Sequence, residues 1–262
     1  THLPTPTQVH GHSRGGHGAW ALATRVPDRV LGVAVACGWY SREEYGDANN
    51  LWVHETSLMH ADKLLIGTLH AAVAENDNAL HASTLRDLPA LVRVATRDQN
   101  VQPWFGRRMA RVLQEHGALV ELDEQPYEHW WWDTERANDG GVMHDAVMRN
   151  WTRRVARRAV GASAAIRAST RTTIASSSPE YNGRHGVRVL QRRTPAMRAF
   201  VRVSLAADGT PQLDTTNVAR LAVGGTAAMA AKARDGALLI DGHRLSLPPL
   251  ADAASSCASD EA

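Results

Sequence analysis

The chain has 262 residues, 44% of them hydrophobic, and a formal net charge of +2. That is room for one large domain, or a medium one with a small companion. No apolar run reaches membrane-spanning length, so no membrane span is expected, and Cys37 and Cys257 are too few for a disulfide framework.

The first element is a strand ending near residue 10. It runs into Gly11-His12-Ser13-Arg14-Gly15-Gly16-His17-Gly18-Ala19-Trp20, which reads G-x-S-x-G with a further glycine. Such a pattern marks a tight strand-to-helix turn that presents a serine. Gly11 and Gly15 are expected to be the positions where a side chain would collide. Ser13 is the candidate nucleophile. The backbone N–H of Arg14, at a helix N-terminus, is the candidate oxyanion donor.

Residues 29–38 form a short apolar run bounded by turn residues, as in a strand buried on both faces of a parallel sheet. Residues 41–86 are polar and mostly helical in pattern, notably 61–74, and stand where a lid or insertion would. A second apolar run, 88–95, is a strand whose exit loop carries Asp98. Residues 104–116 read as an amphipathic helix. Residues 118–122 are the next strand, and its exit loop carries His129. A last helix spans about 141–160 and includes His144. Strands alternating with helices predict an α/β class with a mainly parallel sheet and helices on both faces.

The expected organisation is an α/β catalytic unit over 1–160, a Ser/Thr/Ala-rich linker over 161–180, a small β-rich domain over 181–250 and a disordered tail over 251–262. Strands are expected at 186–190, Ala199–Leu205, Val218–Val223 and Ala237–Ile240, with Asp241-Gly242 as a hairpin turn before 243–247. Charge is uneven. Residues 1–150 carry 13 basic and 19 acidic side chains, and residues 151–262 carry 16 and 8. No nucleic-acid motif accompanies the basic half, so its arginines are read as solvent-facing and no nucleic-acid partner is expected.

Acyl transfer by a serine needs a base, an acid that orients the base, and donors for the oxyanion. Ser13, Asp98 and His129 stand in the chain order serine, acid, histidine, each at the end of an expected strand. Asp98 is otherwise a loop cap, and His129 otherwise part of an aromatic packing cluster. These residues resemble the α/β-hydrolases, and most closely a prolyl-oligopeptidase-like branch with the patterns G-x-S-x-G-G-x-G-A-W, D-x-N-V-P-x-W and G-H-W-W-D. They correspond here to residues 11–20, to Asp98-Gln99-Asn100-Val101-Gln102-Pro103-Trp104, and to His129-Trp130-Trp131-Trp132-Asp133. Asp214-Thr215-Thr216-Asn217-Val218 resembles a T-x-N-V segment of the same branch.

The resemblance implies that Ser13, Asp98 and His129 are nucleophile, acid and base. Trp104 and Trp130 are candidate substrate contacts, and a small peptide or ester is the expected substrate. No cofactor or metal is implied. Glu128 stands where the branch has glycine and puts a second carboxylate beside His129. The elbow also resembles G-H-S-x-G-G-H-G-A of S-formylglutathione hydrolase-like esterases. With at most one strand before the elbow, the chain looks like the C-terminal part of a hydrolase domain, with a partner chain or N-terminal segment completing the sheet. The alternatives are a non-catalytic subunit of the same fold and a metal hydrolase using His10, His12 and His17.

Overall fold

A computed structural model describes residues 6–45, 62–131, 141–161, 171–181, 183–224 and 237–246. Trp132, Asp133 and the expected tail at 251–262 lie outside them. Four strands, β1 (Thr7–His12), β2 (Val30–Ala36), β3 (Pro89–Ala95) and β4 (Leu119–Gln125), form a wholly parallel sheet in the order β1-β2-β3-β4. Helices α1 (Arg14–Arg25), α2 (Arg42–Tyr45), α3 (Lys63–Ala74), α4 (Pro103–Glu115) and α5 (Ala146–Gly161) lie between and after them.

Alternation along the strands sorts the core into two layers. Val33, Val35, Val92 and Val94 pack with Trp20 of α1 and with Phe105, Met109 and Leu113 of α4. On the other face Ala34 and Leu91 meet Met148, Trp151 and Val155 of α5. Full burial of such a valine or leucine contributes about 1.5–3 kcal/mol. The sheet is therefore covered on both faces, as the apolar runs predict. His144 is a correction: it lies in the turn before α5, not within the helix.

A second set of strands follows: β5 (Thr172–Ser176), β6 (Val187–Arg192), β7 (Ala199–Leu205), β8 (Pro211–Thr216), β9 (Val218–Val223), β10 (Ala237–Ile240) and β11 (His243–Ser246). They make a five-stranded sheet, β11-β10-β8-β7-β5, and the pair β6-β9. Ile174, Val187, Val201, Leu213, Val218 and Leu238 form their shared core. Asp241 and Gly242 turn β10 into β11 with φ of 49° and 80°, the left-handed pair that a two-residue hairpin requires. Asn217 has a structural use. At φ 59° it joins β8 to β9, and its side chain accepts from Thr194 N–H and donates to the carbonyls of Thr194 and Met197.

The two sets of strands meet at buried polar contacts. His81, fully buried, donates through Nδ1 to the Asp77 carbonyl (3.0 Å), accepts at Nε2 from the Ser177 hydroxyl (2.8 Å), and stacks on Tyr181. Burial, with Arg198 and Arg25 nearby, pulls its pKa down to about 4. Burial and Arg184 also lower His185, which sits against Thr172. A histidine harder to protonate folded than unfolded leaves stability intact above the unfolded value of about 6.5, and that stability falls as acid is added. For His81 the loss approaches about 3 kcal/mol by pH 4. Urea midpoints should hold steady above pH 7 and fall between about 6.5 and 4. His81→Gln should flatten that slope. A midpoint unchanged down to pH 4 would contradict the assignment.

Candidate active site

The turn between β1 and α1 forces Ser13 to φ 55°, ψ −123°, a conformation that costs about 1–3 kcal/mol for a residue with a side chain. The Ser13 N–H is fixed by the Ala36 carbonyl at 2.9 Å, tying the turn to the end of β2. Close approach explains the glycines. A Cβ on Gly11 would lie 2.0 Å from the Gly15 carbonyl oxygen, and one on Gly16 would lie 2.7 Å from Val35 Cγ1 and 3.0 Å from Gly38 Cα. Gly15 corrects the sequence reading, because a Cβ there meets nothing within 4 Å. Gly16, not Gly15, lets the helix approach the sheet.

A serine at a helix N-cap ordinarily turns its hydroxyl back onto the helix. Ser13 makes no such cap. Its Oγ lies 2.9 Å from His129 Nε2. The Gly16 and His17 N–H groups bond back to the Ser13 carbonyl at 2.9 and 3.3 Å, and the Arg14 N–H opens the helix at the positive end of its dipole.

His129 is 4% exposed and sits in the loop after β4. Its Nδ1 donates to Asp98 Oδ2 at 2.7 Å. Asp98, in the loop after β3, is also buried, and its Oδ1 accepts the N–H groups of Asn100 and Val101, each at 2.8 Å. It is thus loop cap and imidazole partner at once, one oxygen for each task. The structure brings Ser13, His129 and Asp98 into one hydrogen-bonded chain at the C-terminal ends of β1, β4 and β3. Glu128 corrects another expectation. It is exposed, and the carboxylate against the imidazole is that of Asp98.

Trp130 is 52% exposed and stands edge-on to the His129 ring at 5.0 Å. Trp104 lies elsewhere. Its ring contacts among the described residues are Tyr40 and Phe105, and it walls an open groove with Asp98, Gln99, Gln102 and Arg107.

Three further residues lie around this site, and the motifs do not announce them. His12 hydrogen-bonds through Nε2 to the His129 carbonyl at 2.9 Å, and its ring lies 4.7 Å from the imidazole. Burial lowers its pKa. Cys37, at φ 49° just past β2, is buried. Desolvation and neighbouring Asp98 push its thiol up to about 12. Arg93, 1% exposed on β3, donates from Nε to Asp123 (2.8 Å), from Nη1 to the Val142 carbonyl and Asp145, and from Nη2 to Asp145 (2.6 Å). Its guanidinium also lies 4.6 Å from the centre of the Trp131 ring, two residues beyond His129.

The histidine trio His10, His12 and His17 does not assemble. His10 packs on Trp151, His17 on Trp39, and His12 on His129. Among the described residues, no helix is long and apolar enough to cross a membrane.

No family model matches the chain. An uncharacterised secreted protein of Arthroderma benhamiae is 26% identical over 215 residues, which cover 81% of this chain and 21% of that one. Similar solved structures include one from a study of two Rhizomucor miehei esterases (17% identity, TM-score 0.39, 57% of this chain and 50% of that one). Another is the monoacylglycerol lipase of Paleococcus ferrophilus (16%, 0.36, 57% and 68%). A third is brefeldin A esterase, a bacterial homologue of human hormone-sensitive lipase (20%, 0.32, 60% and 46%). The chain spans about a fifth of the length of the Arthroderma protein.

Proposed function

We propose that the chain is a serine hydrolase that cleaves ester or peptide bonds through an acyl-enzyme. Ser13 is the nucleophile, His129 the base and Asp98 the acid that orients it. The observation that carries this reading is the unbroken chain from Asp98 Oδ2 to His129 Nδ1 (2.7 Å) and from His129 Nε2 to Ser13 Oγ (2.9 Å), ending on a strained serine at a helix N-terminus. The finer kinship, to the prolyl-oligopeptidase-like branch, rests on the three motifs around these residues.

The chemistry follows from the geometry. His129 Nε2 takes the hydroxyl proton as Ser13 Oγ bonds to the substrate carbonyl carbon. Asp98 holds the tautomer that leaves Nε2 free to accept and stabilises the imidazolium that forms. The proton then passes to the leaving group, and water repeats the sequence on the acyl-enzyme. The Arg14 N–H faces the developing oxyanion. A single such donor contributes about 2.7–4 kcal/mol to transition-state stabilisation. Trp130, exposed beside the imidazole, is the nearer of the two candidate substrate walls; Trp104 would contact only a substrate that reaches the groove past Asp98.

The second reading, a non-catalytic subunit, draws on β1. Among the described residues it pairs only with β2, and an open sheet edge accepts a strand from another segment or chain. A fluorophosphonate probe separates the two readings. Labelling on Ser13, abolished by Ser13→Ala, is expected. A folded protein that takes no label would overturn the hydrolase reading.

A further inference from the structure

The ends of β1 and β2 and the loop after β4 bring together three side chains with soft or borderline donors. One ligand atom from each of His12, Cys37 and His129 lies within 4.8 Å of the others. Acyl transfer has no use for a thiol here. We infer that His12, Cys37 and His129 form a binding site for a soft divalent cation of the zinc class, and that an ion bound there shuts the serine off. The inhibitory half of this inference rests on the proposed hydrolase function; the binding half does not.

Thiolate and imidazole are the donor pair that selects zinc-like ions over calcium or magnesium. Metal–ligand bonds of about 2.0–2.3 Å in a tetrahedron set ligand atoms about 3.5 Å apart, so the three side chains need to close in by about 1 Å. Three protein donors leave the fourth position to water. The buried Asp98 carboxylate, 2.7 Å from His129 Nδ1, offsets the cation's charge. His12 is only half-buried, so the site opens to solvent on that side. On binding, the Cys37 thiol releases its proton to solvent as the sulfur–metal bond forms.

Both His129 ring nitrogens are already engaged, Nδ1 with Asp98 and Nε2 with Ser13. An ion that takes Nε2 removes the base from the serine. An ion that takes Nδ1 removes the carboxylate that holds the tautomer. Either choice disables proton transfer.

The test begins with the Ser13→Ala protein, in which binding is read without activity. Titration with Co2+ should give one ion per chain and a thiolate-to-cobalt charge-transfer absorption, and Zn2+ should displace the Co2+. The absorption should vanish when Cys37→Ser is added, and affinity should fall at least tenfold with His12→Gln. In the protein with Ser13 intact, Zn2+ should block fluorophosphonate labelling, a chelator should restore it, and Cys37→Ser should label in the presence of Zn2+. Absence of the cobalt absorption, or unchanged Zn2+ affinity in both Cys37→Ser and His12→Gln, overturns the site. Unchanged labelling in saturating Zn2+ overturns the inhibition. If Ser13 never takes the probe while the cobalt absorption stands, the hydrolase reading fails and the metal site survives.

Discussion

Asp98→Asn should lower turnover of an activated ester by about 10⁴-fold while leaving the fold nearly as stable as before. The two oxygens of Asp98 explain the split. Oδ1 accepts two backbone N–H groups, from Asn100 and Val101, and Oδ2 accepts the imidazole N–H. An asparagine satisfies the loop only by placing its carbonyl oxygen toward the two N–H donors. Its NH2 group then faces His129 Nδ1 and can only donate. The ring must carry its proton on Nε2, the nitrogen that faces Ser13 Oγ, and it can no longer take the serine proton. Asp98→Ala makes the contrast: it leaves the buried Val101 N–H unpaired, at about 1–3 kcal/mol, and takes the acceptor from the part-buried Asn100 N–H, so it should lose stability as well as activity. The measurements are kcat on an ester substrate and the urea midpoint of each variant. A turnover loss under tenfold for Asp98→Asn would mean that Asp98 serves the loop alone.

The candidate site was legible because its parts are local signals at strand ends. The elbow glycines, the aspartate after an apolar run and the histidine before a tryptophan cluster each stand in a short motif, and the α/β alternation places them at one edge of a sheet. What was not legible depends on distance in the chain. The motif does not say which glycine meets the sheet; Gly16 does, because α1 turns it toward Val35 and Gly38. His12 reads as the variable position of an elbow, and its partner is the carbonyl of a residue 117 positions away. β5 and β8 carry Thr-rich, weakly alternating sequences, TTIAS and PQLDTT, and are strands because β7 lies between them and supplies both ladders. Arg93 is the plainest case. A lone arginine in an apolar strand gives no sign of burial, because its acceptors come from 30 and 52 residues further on.

That arginine carries the second large effect. Arg93→Met should destabilise the fold by about 3–5 kcal/mol, because it leaves Asp123 and Asp145 as partly buried carboxylates without their cation. The methionine fills the volume, so loss of charge and of the guanidinium fork accounts for the change. Arg93→Lys keeps the charge but cannot reach Asp123, both Asp145 oxygens and the Val142 carbonyl together, and should fall between the two. The loss should reach the site as well. Arg93 lies against Trp131, and Asp145 caps α5 through the Met148 N–H, so the segment after His129 and the start of the last helix are held by one side chain. Turnover per folded molecule should therefore drop in Arg93→Met even at temperatures where the protein remains folded. The control is Arg93→Met with Asp123→Asn and Asp145→Asn. An uncharged set removes the unpaired carboxylates, and asparagine still caps a helix, so this triple variant should be more stable than Arg93→Met alone. Urea denaturation of the three variants gives the ordering. A cost under 1 kcal/mol for Arg93→Met, or no recovery in the triple variant, would show that the network is not what holds the His129 loop against the sheet.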